Sequence, residues 1–123
     1  MNVKKLKHSM EVLKETLGDA LLASDIFSAD DLLSVVSLGD EPHPAGNILG
    51  STNEIDLALR ESEFPGLGKY YLLRLKTNKI AIVLPLGDFL WGLFIDMDKV
   101  QLGLVLNIAL PSAITAFEEA FAE

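Results

Sequence analysis

The sequence predicts an α+β fold: a five-stranded antiparallel sheet with helices on both faces, in the order α-ββ-α-βββ-α. Three observations carry this reading. Apolar residues recur at helical spacing near both ends of the chain. Between residues 69 and 95 three extended apolar runs follow one another, parted by short turn signals. No linker, low-complexity stretch or internal repeat interrupts them, so residues 1–123 are expected to form one domain.

The first helix is expected over residues 2–17, where Leu6, Met10, Leu13 and Leu17 make one apolar stripe between Lys and Glu. Gly18 stands where a left-handed cap would end it. Ala20-Leu21-Leu22-Ala23 and Ile26-Phe27 precede the polar Ser28-Ala29-Asp30-Asp31, and Leu32 to Leu38 follow. Two short apolar runs around a polar turn predict a β-hairpin, although the first run also permits helix. Residues 39–50 are rich in proline and glycine and read as a loop. A short second helix, Ser51–Glu63, is expected after it. Ser51 and Glu54 have the spacing of a capping box; Ile55, Ala58, Leu59 and Ser62 form a narrow stripe; Pro65-Gly66 ends the helix.

The third strand is expected at Lys69–Lys76. Tyr71, Leu73 and Leu75 share one face; Tyr70, Leu72, Arg74 and Lys76 share the other. That half-polar pattern suits an edge. Thr77-Asn78 makes a tight turn. Ile80–Leu84 and Phe89–Ile95 are apolar on both faces, as central strands are. Gly87-Asp88 is the hairpin turn between them, and Pro85, which lacks an N–H, belongs at a strand end or bulge. After the polar Asp96–Lys99, residues 102–121 repeat apolar side chains at steps of three and four. Pro111 should kink or divide that last helix.

Half of the 123 residues are hydrophobic, ample for a core. The mean hydropathy of +0.33 is high for so small a soluble domain. It fits a core that continues across a subunit interface, or a densely packed monomer. The net charge of −8 repels phosphate, so no nucleic-acid partner is expected. Lys4, Lys5, Lys7 and Lys14 cluster at the start, as a solvated helix face or a patch for an acidic partner. The absence of cysteine excludes disulfides, thiolate catalysis and thiolate metal sites. No signal-peptide pattern and no unbroken apolar run of about eighteen residues is seen, so a cytoplasmic chain without a membrane partner is expected.

Over residues 80–110 the sequence resembles the roadblock / dynein-light-chain family, including its bacterial MglB-like members. Ile80-Ala81-Ile82-Val83-Leu84-Pro85-Leu86-Gly87-Asp88 is similar to the family's apolar strand and its "hydrophobic-Pro-Leu-Gly" turn. Asp96–Lys99 with Leu102-Gly103-Leu104-Val105 resembles the passage that opens its final helix. The resemblance implies sheet order 2-1-5-4-3, with helices one and three on one face and helix two on the other. It also implies a homodimer through the third strand and second helix, acting as regulator or scaffold of a small Ras-like GTPase. The interface residues so expected are Ile55, Leu59, Ser62, Tyr70, Leu72, Arg74 and Lys76. A second helix shorter than the family's, behind its Pro/Gly loop, departs from the pattern. A profilin-like or PAS-like ligand-binding sensor has the same coarse order and is the alternative.

No catalytic centre, metal site or cofactor is expected. His8 and His43 lack chelating spacing. Asp96-x-Asp98, Asp30-Asp31 and Asp40-Glu41 are too few oxygens for a calcium loop, and read as turn and cap residues. They also lack a neighbouring nucleophile or oxyanion site. Gly66-x-Gly68 and Gly46-x-x-x-Gly50 are no phosphate loop and read as turn glycines. Arg60 and Arg74 read as interface or surface residues rather than arginine fingers. Trp91 reads as core, with an anchor role the alternative.

Overall fold

The structure is a computed structural model. It describes residues 2–31, 33–39 and 45–122, with backbone alone for 45–50. The elements are α1 (Val3–Leu17), β1 (Leu21–Ser28), β2 (Ser34–Gly39), α2 (Ala45–Glu61), β3 (Tyr71–Leu75), β4 (Lys79–Leu86), β5 (Phe89–Asp96) and α3 (Leu102–Glu119). The sheet is antiparallel throughout, in the order β2-β1-β5-β4-β3. The fold class is the one read from the sequence, and the strand order is the one the family resemblance implied.

The apolar stripe of α1 is buried as expected, and Gly18 (φ 57) closes the helix by donating its N–H to the Lys14 carbonyl. This stripe meets Ile26 of β1, Ile80, Ile82 and Leu84 of β4, and Trp91, Leu93 and Ile95 of β5. Val105, Ala109, Leu110, Ala113 and Phe117 of α3 complete this main core. Strands β4 and β5 bury side chains on both faces; on the opposite face Phe27, Val83 and Leu90 form a second, smaller cluster. Helix α2 lies across β1 and β5. The unbroken apolar runs of β4 and β5 thus serve two cores at once, successive side chains pointing to opposite faces.

Trp91 is fully buried, and its indole N–H donates to the Ser24 hydroxyl at 2.7 Å. Ser24 in turn donates to the Gly92 carbonyl at 2.9 Å, so the one polar atom of the ring is satisfied inside the core.

Helix α2 corrects the sequence reading. It begins at Ala45, so residues 45–50 are helix rather than loop, and Ser51 sits inside it rather than capping it. The helix has 17 residues, which removes the supposed shortness. Gly46 and Gly50 each cost only about 1 kcal/mol in a helix. The composition of the segment therefore marked where a helix starts, not where one is forbidden.

Strand β3 is shorter than expected: Lys69, Tyr70 and Lys76 flank it. Thr77 (φ 61) and Asn78 (φ 57) make the turn into β4, both left-handed. Pro85 lies within β4, opposite Leu90, where β3 has already ended at the Tyr71–Val83 pair. Hydrogen-bonded and open pairs alternate along the β4–β5 hairpin from its closing Leu86–Phe89 pair. Pro85 therefore points its missing N–H past the end of β3, where no ladder needs it. Pro111 divides α3 as expected: Val105–Ala109 is a π-helical turn, and regular helix resumes at Leu110. Proline cannot donate to the carbonyl four residues back, and the widened turn absorbs the break. By length and composition α3 is long and apolar enough to cross a bilayer, although no unbroken apolar run of about eighteen residues marks it in the sequence. In this fold its inward face packs into the main core.

Candidate protein-interaction surface

The sheet has two edges, β2 and β3. β2 meets β1 with a register irregularity between Ile26 and Phe27, a bulge of the kind that blunts an edge. β3 meets β4 in unbroken register from Tyr71–Val83 to Leu75–Lys79. Along the β3–β4 hairpin the alternation places Tyr71, Leu73 and Leu75 in hydrogen-bonded pairs with β4. It leaves Leu72 and Arg74 with their N–H and C=O facing outward. β3 is thus a regular, bulge-free edge, the form most ready to accept another strand.

The side chains divide by face. Leu72 packs against the main core, beneath α1 and α3. Tyr71 packs against the second cluster, so Leu73 and Leu75 share the α2 side of the sheet. Both leucines are exposed, at 39% and 42%. On α2, Ile55 is 40% and Leu57 55% exposed, and Leu59 is half-buried. The Tyr71 and Thr52 hydroxyls, 2.7 Å apart, tie strand to helix on this side. The Asp56 carboxylate accepts the Leu67 N–H at 2.7 Å and binds Arg60 at 3.1 Å, holding the α2–β3 connection against the helix. Leu73 and Leu75, exposed side by side on an open edge, are a docking surface in form.

Of the residues expected at an interface, Ile55 and Leu59 lie on α2, and Leu72 and Arg74 on β3. Ser62, Tyr70 and Lys76 are exposed just outside these elements. Leu72 is anchored in the core, and Tyr70, Leu72, Arg74 and Lys76 take the face away from α2. Sequence reasoning passed over Leu57, Leu73, Leu75 and the exposed Phe64. The signal for the two β3 leucines was present: they are the apolar face of a strand whose neighbours already predicted an edge.

The remaining candidates that the structure describes make local contacts. Asp96 accepts the Asp98 N–H at 3.0 Å, and Asp98 accepts the Asn78 amide at 2.8 Å, fastening two turns together. They do not cap α3, which has no side-chain cap. Asp31 accepts the Leu33 N–H at 3.0 Å within the β1–β2 turn. Gly46 and Gly50 lie in α2, not in turns. His8 is exposed beside Glu11 at 3.8 Å. His43, Asp40 and Glu41 lie outside the described residues. Among the described residues no three His, Asp or Glu side chains gather to hold a metal. An open groove of about 500 Å³ runs between α3 and the β3–β4 corner, mostly apolar, with Lys69, Tyr70 and Glu118 among its lining. The sensor alternative looked for a pocket between sheet and helices; this groove lies at the surface.

No protein-family model matches the chain, and no curated protein matches it. Solved structures do. MglB of Myxococcus xanthus superimposes with a TM-score of 0.78 at 12% identity, over 97% of this chain and 89% of that one. An MglB with a tetrameric arrangement gives 0.69 at 16%, over 94% and 92%. A Roadblock/LC7 domain from Streptomyces avermitilis gives 0.62 at 11%, over 91% and 97%. The fold built here from five strands and three helices is the roadblock/LC7 fold, in the form that MglB has.

Proposed function

We propose that residues 1–123 act as one non-catalytic, cytoplasmic interaction domain that forms a homodimer and regulates or scaffolds a small Ras-like GTPase. The observation that carries the dimer is the open, regular β3 edge, with Leu73 and Leu75 exposed beside it on the same side as Ile55 and Leu57. Pairing two such edges would satisfy the outward backbone groups of Leu72 and Arg74 and cover Leu73 and Leu75. Ile55, Leu59, Ser62, Tyr70, Leu72, Arg74 and Lys76, with the two leucines, would line the contact. The GTPase partner rests on the likeness to MglB and on the roadblock resemblance over residues 80–110.

Two measurements test it. Sedimentation equilibrium at micromolar concentration should give twice the 13.4 kDa chain mass; a monomer at tens of micromolar would refute the dimer. The immobilised chain, offered extract of its own cells charged with GDP or a non-hydrolysable GTP analogue, should retain a P-loop GTPase in one nucleotide state. Retention of no such protein in either state would refute the GTPase reading.

A further inference from the structure

Within a chain of net charge −8, the stretch between Glu63 and Asp88 holds Lys69, Arg74, Lys76 and Lys79 and no acidic residue. Among the described residues none of the four makes an ion pair. Two copies meeting along β3 would bring these cations together, so the register of pairing has to keep them apart. A two-fold axis through Arg74 would set Arg74 directly opposite itself, which like charges oppose. An axis through Leu73 overlaps all five residues of β3 with the five of a second copy. It sets Arg74 opposite Leu72 of the partner and Tyr71 opposite the partner's Leu75. It also agrees with the backbone: Leu72 and Arg74 face outward and would bond each other's counterparts, and Leu73 would meet itself in an open pair.

This register carries one consequence beyond β3. Continuing it places Lys76 of the partner opposite Tyr70, on the same face, because residues paired across antiparallel strands share a face. Tyr70 lines the groove beside α3, and so does Glu118. Glu118 is exposed and makes no ion pair among the described residues. We infer that the groove is completed by a second copy of this chain, whose Lys76 lies over Tyr70 and pairs with Glu118, and that symmetry repeats the contact at the other end of the strands. The tyrosine face adds a cation–π contact to the ion pair. The inference rests on the homodimer proposed above and specifies its register.

Because the chain has no cysteine, single cysteines read the register directly. Cα atoms of an open antiparallel pair lie about 4.5 Å apart, within disulfide reach. Leu73→Cys should therefore cross-link to its own copy under mild oxidation, and Leu75→Cys should not. Charge exchange reads the pair: Lys76→Glu and Glu118→Lys should each raise the dimer dissociation constant about tenfold, and the doubly exchanged chain should return to within about twofold of the parent. An exposed ion pair formed twice accounts for an effect of roughly that size. Both side chains are exposed, and circular dichroism confirms that each variant is folded. A dimer in which Leu73→Cys fails to cross-link, or in which the two charge effects simply add, overturns this inference and leaves the dimer standing. A monomeric parent overturns both.

Discussion

The hydroxyls of Thr52 on α2 and Tyr71 on β3 stand 2.7 Å apart across the smaller face of the sheet. Thr52 is 2% exposed, so the contact is largely sealed from water. It joins the helix and the edge strand that together make the proposed interface. Removing it with Tyr71→Phe should cost about 1 kcal/mol, the net worth of a typical buried hydrogen bond. Urea denaturation checks this. An unchanged midpoint would show that the α2–β3 geometry does not depend on the contact.

A second test separates fold from assembly. Leu73→Lys and Leu75→Lys place charge on an exposed edge, where lysine is a common guard against pairing. Compared in protein dilute enough that the parent is monomeric, the double variant should unfold within about 0.5 kcal/mol of it, as surface substitutions do; at concentrations where the parent is a dimer, the variant should sediment as a monomer. Leu72→Lys should instead destabilise the chain itself, because Leu72 packs against the main core. If the Leu73/Leu75 variant remains a dimer, the apolar row on the α2 side is no part of the contact.

The core network supplies a third. Ser24→Ala removes the acceptor of the Trp91 indole N–H and leaves a buried donor unsatisfied. The expected loss is about 1–3 kcal/mol. Trp91 is the sole tryptophan, so its emission reports the change without interference. Stability equal to the parent would mean that the indole finds another acceptor.

Two glycines give a fourth. Gly39 (φ 114) and Gly87 (φ 64) both adopt backbone conformations that L side chains avoid. A Cβ at Gly39 would stand 2.7 Å from the Leu22 carbonyl oxygen, whereas at Gly87 it would meet nothing within 4 Å. Gly87→Ala should therefore cost only the local strain, about 1–2 kcal/mol, and Gly39→Ala distinctly more. Equal losses in thermal unfolding would show that β2 yields freely at its end.

Much of this architecture could be read from residue order because the signals were local. The α1 stripe, the Gly87-Asp88 hairpin, the doubly apolar β4 and β5 and the break at Pro111 each follow from a few neighbouring residues. The start of α2 was missed because Gly46 and Gly50 look alike in a loop and in the first turns of a helix; only packing across β1 and β5 decides between them. The candidate surface was half legible. Periodicity named β3 as an edge and divided its faces correctly. Which face is anchored depends on α1 and α3, more than twenty residues away in sequence on either side. Leu72 therefore looked available and Leu73 did not.

The account rests on an unpaired ladder at β3, and amide hydrogen exchange reads that ladder residue by residue. The N–H groups of Tyr71, Leu73 and Leu75 should be protected at every concentration, because β4 holds them. Those of Leu72 and Arg74 should exchange freely in dilute protein and become protected as concentration rises through the dimer dissociation constant. Leu72 and Arg74 amides that exchange like exposed groups at all concentrations, in a sample shown to be dimeric, would contradict it.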